Sequence, residues 1–322
     1  MLWLFRAAKR LRALGILGMN RRNACYILDH NPRGKFPLVD DKLKMRDLCV
    51  RIGVVTPKIH GVVASYGMLK RLPELLRGLE EFVIKPNRGS AGRGVLVVTG
   101  RQGDAFLRHN GTALALDALR QHCSDTLSGM YSLGGRPDEA LIQQRVHLHP
   151  AFEPISWQGI PDIRVILYKN EPAMAMLRLP TKMSGGRANL HQGGIGTGVD
   201  LASGVTHHAV LRNRAVEKHP DTGVSVVGMQ VPFWREVLDM SCRVAQEVGL
   251  GYVGVDIVVD AQEGPMLLEA NARPGLAIQI ANGQGLTQRL DEIDRQVEIG
   301  ANKDDAGMIA RSIGPHSQRL SA

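Results

Sequence analysis

The sequence predicts an α/β fold of α+β character, and three observations predict it. Met45, Leu48, Cys49 and Ile52 recur at the spacing of one helix face within residues 41–53. Short apolar runs bounded by turn residues, such as Asp162–Tyr168, Ala173–Leu179, Val253–Val259 and Met266–Ala270, read as strands. A glycine-rich stretch joins two further strands, Phe82–Lys85 and Gly94–Val98. No internal repeat is visible.

Each element follows from local chemistry. Residues 2–14 form an amphipathic helix with Leu4, Ala8 and Leu11 on one face and Arg and Lys opposite. Such a helix either docks on the body of the protein or lies at a membrane interface. Gly53 and Pro57 end the helix over 41–53. A second helix begins near Pro73, with Leu72, Leu75, Leu76 and Leu79 on one face. Residues 103–123 are expected to be helical, 124–138 a loop and Ala140–Val146 a strand. Gly185–Gly204 is a polar stretch of a length usually reserved for functional loops. Pro232–Val248 reads as a helix with Phe233, Val237, Met240 and Val244 inside. From about residue 287 the chain is polar, has no core pattern after 300, and is expected to be partly disordered.

Composition narrows the function. The 322 residues, 44% of them hydrophobic, suffice for one large or two modest cores. Aromatics are 4%, too few for base-stacking platforms, so no specific nucleic-acid partner is expected. The formal charge of +9 suits anionic ligands such as nucleotides. Part of it is local: Arg6, Lys9, Arg10, Arg12, Arg21 and Arg22 stand among the first 22 residues without an acid, which allows peripheral membrane contact. Cys25, Cys49, Cys123 and Cys242 are widely spaced, which fits reduced thiols and a cytoplasmic location. No apolar run reaches the length of a membrane span, and no signal peptide is evident.

Two segments carry chemistry. In Val253–Val259 the residues alternate, so Asp256 points away from the face of Val255 and Ile257. In the next strand Leu267, Glu269 and Asn271 share a face by the same rule. A hairpin symmetric about 262–263 sets Asp256 opposite Glu269 and Gly254 opposite Asn271, with Cβ atoms about 5 Å apart. Two carboxylates that close repel unless a cation stands between them. Their oxygens, with the Asn271 amide, suit Mg²⁺ or Mn²⁺. The bland alternative is an edge hairpin with scattered acids, but an Asp inside a Val/Ile strand is costly without a partner. Arg273 follows directly and supplies a cation beside the site.

The second segment runs from Phe82 to Val95. Gly89, Gly92 and Gly94 allow backbone N–H groups to approach phosphates, and Lys85 offers a compact positive charge. It is neither a Walker loop, since G-K-[ST] is absent, nor a dinucleotide-binding turn, since a strand follows.

These two pieces, in this order, resemble the ATP-grasp superfamily over residues 36–285. Within it the sequence is similar to RimK-like α-L-glutamate ligases. Arg187-Ala188-Asn189-Leu190-His191-Gln192-Gly193-Gly194 and Asp162-Ile163-Arg164 look like their motifs, as do I-K-P, V-D-I and L-E-A-N-A-R-P-G. It also resembles the sugar-transfer associated ATP-grasp group. The resemblance implies two α+β subdomains clasping ATP, with the usual N-terminal domain reduced or absent. It implies a basic helical segment over 1–35, a first part of the core over 36–82 and a lid over 83–145. A subdomain with the metal site over 146–286 and a polar tail over 287–322 follow. Lys42 and Lys85 would touch phosphates together with Gly89, Ser90, Gly92 and Gly94. Gln143 and Val146 would hold the adenine edge, and Asp162 the ribose hydroxyls. Asp256, Glu269 and Asn271 would bind Mg²⁺. Arg164, Arg187, Asn189 and Arg273 would face the acceptor carboxylate or the γ-phosphate. Gln143 stands where many relatives have Glu.

The implied activity is an ATP-dependent carboxylate–amine ligase working through an acylphosphate, adding glutamate or another amino acid to a small molecule or peptide. Two other classes are an ATP-grasp small-molecule kinase and a non-catalytic nucleotide-binding module. His147 and His149 could pair on a metal or simply lie on a surface strand. His207 and His208 are expected in solvent, and Trp157 and Trp234 in packing.

Overall fold

The computed structural model describes residues 2–89 and 92–312. The chain divides into two compact units, Gly18–Gly283 and a second formed by the terminal segments up to Leu17 and from Gln284.

The large unit holds two main sheets. In chain order its strands are β1 (Ile59–Val63), β2 (Phe82–Pro86), β3 (Leu96–Val98), β4 (Gly100–Gln102), β5 (Ala105–Leu107), β6 (Ala113–Leu114) and β7 (Ala140–Gln143). There follow β8 (Asp162–Tyr168), β9 (Glu171–Leu179), β10 (Ile195–Val199), β11 (Thr206–Leu211), β12 (Arg214–Ala215), β13 (Tyr252–Asp260) and β14 (Gly264–Asn271). The smaller sheet runs β1-β7-β2-β3, the larger β12-β11-β10-β9-β8-β13-β14, and β4-β5-β6 form a third. All the named pairings are antiparallel.

Period two gives the larger sheet two unlike faces. Val255, Ile257, Ile163, Val165, Ala175, Leu177 and Leu179 lie on one face, in a continuous apolar core. The helix Trp234–Val248 joins that core through Val237, Met240, Val244 and Val248. On the other face stand Asp256, Glu269, Arg164 and Asp162. The smaller sheet has its own core, in which Phe82, Ile84 and Ile142 meet Leu119, Cys123 and Leu127 of the helix Leu116–Leu127.

Several expectations are corrected. Residues 103–123 are not one helix: β5 and β6 occupy the first half, and the helix Leu116–Leu127 runs into the expected loop. Gly103 and Gly111 both take left-handed φ there (57° and 79°), which reverses the chain tightly. Near Pro73 only Leu72–Leu75 is α-helical, and the seventh strand ends at Gln143. The polar stretch Gly185–Gly204 is not all loop, because it contains β10, every residue of which is buried. Four of those five residues are Gly, Thr or Val, too little apolar pattern to mark a central strand. Phe233 is not inside: it sits at φ 55°, 43% exposed, and the helix starts one residue later. Trp234 does pack, its indole N–H donating to the Leu201 carbonyl at 3.0 Å.

In the terminal unit Leu2–Ala13 is helical, and Leu11, expected on an apolar face, is half exposed. The expected tail contains a helix, Thr287–Ser312, whose Leu290 and Ile293 are buried. The Thr287 N–H donates to the Gly15 carbonyl at 3.0 Å. Among the described residues no helix is long and apolar enough to cross a membrane.

Candidate active site

The site begins with the hairpin β13–β14. Gly254 pairs with Asn271 and Asp256 with Glu269, the pairing that symmetry about 262–263 predicts. The route to it differs. Near the turn Asp260 pairs with Gly264 and Ile257 with Leu267, one residue out of that symmetry. A bulge at Leu268 absorbs the difference. Leu267 therefore lies with Ile257 in the core, and does not share a face with Glu269 as strict alternation suggests.

Asp256 is 2% exposed. Arg164, directly across on β8, forks onto it: Nε donates to Oδ1 at 2.6 Å and Nη2 to Oδ2. Arg178 on β9 adds Nη2 at 2.9 Å to Oδ2. Arg178 also forks onto Asp162, its cross-strand partner. Burial raises the carboxyl pKa of Asp256, but the two guanidiniums outweigh it and hold the group below its ordinary value. Asp162 moves up, because burial is stronger there than the pull of Arg178, and Asp256 repels it. Asp162 is thus tied to Arg178.

Glu269 is more open. Its Oε2 is 4.0 Å from Lys42 Nζ, and its Oε1 accepts from the Asn271 amide at 3.3 Å. The same amide nitrogen is 3.4 Å from Asp256 Oδ2. An N–H donor thus stands between two carboxylates, where a cation would be favoured. Turned over, the amide would present its oxygen instead, so the donor set fits a hard divalent ion. Among the described residues no three His, Cys, Asp or Glu side chains gather as a metal centre, and the third donor here is an amide.

The facing wall is built from the glycine loop and the helix Lys42–Arg51. Asp41 caps that helix, accepting from Leu43 N at 3.1 Å and Lys44 N at 3.2 Å. Asn87, fully buried, accepts from the same Leu43 N and donates to Glu139. Arg88 reaches back to Asp41 at 2.8 Å. Lys42 donates to the carbonyls of Asn87 and Gly89. The loop is therefore fastened to the helix start by side chains that sequence patterning does not mark. Gly94 sits at φ 70° against the Tyr131 ring, which a Cβ would meet at 2.4 Å. Gly92 is also left-handed, and a Cβ on it would lie 3.7 Å from Arg187 Cδ. Ser90 lies outside the described residues.

Lys85 shares this cleft. Desolvation, reinforced by nearby Lys42 and opposed by Glu269, brings its pKa down to about 7. Gln143, Leu141, Leu267, Leu268 and Pro57 line the cleft beside it. The Gln143 amide donates to the Pro57 carbonyl at 3.0 Å. Val146 is half-buried and does not line that cleft.

The remaining expected residues stand apart from the buried cluster. Arg187 is exposed, and Asn189 caps a short turn by accepting from His191 N at 3.0 Å. Arg273 lies over the Phe36 ring, 5.2 Å from its centroid. His147 forms no metal pair with His149 and instead meets Glu81 at 2.5 Å. His207 is exposed and His208 half-buried, with His207 meeting Asn282 and His208 the Ala281 carbonyl. Arg178 and Asn87 were missed by sequence reading. The one available signal for Arg178 was a cation inside the otherwise apolar Ala173–Leu179.

The family model for sugar-transfer associated ATP-grasp proteins matches residues 21–295. The chain belongs to that family. No curated protein matches it. Among solved structures this ATP-grasp chain is similar to the ATP-grasp ligase PsnB complexed with minimal precursor: 15% identity, TM-score 0.43, 82% of this chain and 62% of that one. It thus spans less than two thirds of PsnB. D-cycloserine synthetase DcsG gives 15% identity, TM-score 0.46, 82% of this chain and 72% of that one. D-alanine–D-alanine ligase from Bacillus anthracis gives 14% identity and TM-score 0.43, covering 84% of this chain and 70% of that one.

Proposed function

We propose that the protein is an ATP-dependent carboxylate–amine ligase that activates its acid as an acylphosphate. The observation that carries this reading is the convergence of Lys42, Lys85, Asp256, Glu269 and Asn271 beside a glycine loop. Two lysines and a carboxylate–amide set in one cleft suit a triphosphate and its divalent cation.

Asp256, Glu269 and Asn271 would hold Mg²⁺, which when bound offsets phosphate charge. Lys42 would leave the carbonyls of Asn87 and Gly89 for the phosphates, and Lys85 would hold a phosphate as its ammonium. Gln143, with the backbone beside Pro57, shapes the cleft for the adenine edge. With the triphosphate neutralised, an acceptor carboxylate attacks the γ-phosphorus in line and ADP leaves. An amine then attacks the acyl carbon and phosphate departs. Arg187, beside the glycine loop, supplies positive charge for the developing oxyanion. The loop, acting as a lid, keeps water from the acylphosphate. Adding an amino acid such as glutamate fits this chemistry.

Glu269 carries the decisive test. Replacing it with alanine removes the open carboxylate without touching the buried Arg–Asp cluster. Glu269→Ala is expected to lose substrate-dependent ADP release while keeping its circular dichroism spectrum. Near-normal ADP release by a folded variant contradicts the assignment.

A further inference from the structure

Asp162, Arg164, Arg178 and Asp256 form a charge square across three adjacent strands. Arg164 faces Asp256 across β8–β13, and Asp162 faces Arg178 across β8–β9. Arg178 closes the square by reaching Asp256 as well. All four side chains are nearly buried, with 12% or 13% exposure for Arg164, Arg178 and Asp162 and 2% for Asp256.

The two acids do not have equal support. Asp256 has two guanidiniums on it, whereas the fork of Arg178 is the arginine contact made by Asp162. Without Arg178, an uncompensated buried carboxylate would stand beside Asp256, and removing one partner of a buried ion pair is strongly unfavourable. Asp256 would then lose its contact at Oδ2 and gain a repulsive neighbour. Its carboxylate is the buried member of the cation-binding set, so its orientation is what the square fixes.

We infer that Arg178 is a positioning residue for the cation site: it joins Asp162 to Asp256, neutralises Asp162, and fixes the Asp256 carboxylate for a divalent ion without itself contacting nucleotide. This rests on the proposed function in so far as Asp256 belongs to the cation site.

The test reads binding rather than turnover. ATP affinity is measured by calorimetry with and without Mg²⁺ for the wild type, Arg178→Met and the double variant Asp162→Asn/Arg178→Met. Outer partners of metal ligands typically change metal affinity by about 10–100-fold. Arg178→Met is therefore expected to weaken the Mg²⁺-dependent part of ATP binding by about tenfold or more, and to leave Mg²⁺-free binding within about threefold. The double variant, with no carboxylate left to neutralise, is expected to recover most of that loss. If Arg178 touched phosphate directly, Mg²⁺-free binding would fall too and Asp162→Asn would restore nothing, which overturns the inference. Equal Mg²⁺ dependence in wild type and Arg178→Met overturns it as well. A wild type that binds ATP equally with and without Mg²⁺ refutes the cation site itself. Should Arg178→Met not fold, Arg178→Lys keeps one charge without the fork. It is expected to show the same loss at smaller size, and unchanged Mg²⁺ dependence in that variant counts against the inference.

Discussion

Lys85 is the residue whose charge is most finely balanced. Half-buried and near Lys42, its ammonium has a pKa of about 7 rather than 10.5. For the free protein the sign follows directly. Between pH 7 and 10.5 the unfolded chain holds a proton that the folded chain does not, so this group makes stability rise with pH across that window. Nucleotide binding has the opposite sign, because phosphates favour the ammonium. ATP affinity is expected to fall above pH 7, by up to about tenfold per unit. Lys85→Met should bind ATP more weakly and lose that slope. Titrations of both proteins across pH 6–9 check it, and equal slopes would contradict the assignment. The partner of Asp162 was not legible from its own strand. A D-x-R strand is visible in sequence, but the cation that claims Asp162 comes from the next strand, and cross-strand neighbours are set by register.

Among the elements, β14 shows how much was legible. Alternation placed Asp256 on the polar face, and hairpin symmetry placed Glu269 opposite it. The bulge at Leu268 was invisible, because a single extra residue leaves no periodic trace. It moves Leu267 into the core while leaving the acids paired. Strand β10 failed for a related reason: Ile195-Gly196-Thr197-Gly198-Val199 carries glycines where neighbours approach closely. A Cβ on Gly196 would meet Leu190, and one on Gly198 would meet Asn282. The glycine loop itself was legible from its spacing, whereas its fastening by Asn87 and Arg88 was not. Gly94 makes that element testable. Alanine at its left-handed φ costs of order 1–3 kcal/mol, and the new methyl would strike Tyr131. Gly94→Ala is expected to lose hydrogen-exchange protection in residues 82–98 and to weaken ATP binding, with β8 and β13 unchanged. Full protection over 82–98 would show that the loop tolerates the methyl.

For the molecule as a whole, the likeness over residues 36–285 placed the chain in the ATP-grasp superfamily, and the family match covers 21–295. Local periodicity could not supply the two-sheet division, since β1 and β7 are neighbours only after some eighty residues of intervening chain fold back. A ligand bound only by the folded state stabilises it by about 2.7 kcal/mol at about 100 times its Kd. Mg-ATP is therefore expected to raise the thermal midpoint of the wild type, and Glu269→Ala should respond alike with and without Mg²⁺. Scanning fluorimetry checks this, and a Mg²⁺-dependent rise retained in the variant would place the cation elsewhere. The ligase assignment itself is most directly tested by ADP release across amino acids, acylated amino acids and short peptides, omitting the acid and the amine in turn, with the product weighed by mass spectrometry. The account predicts sustained ADP release only when both are present and a product joined through an amide. Sustained release with one acceptor alone, giving a phosphorylated product, would make the protein a kinase and contradict it.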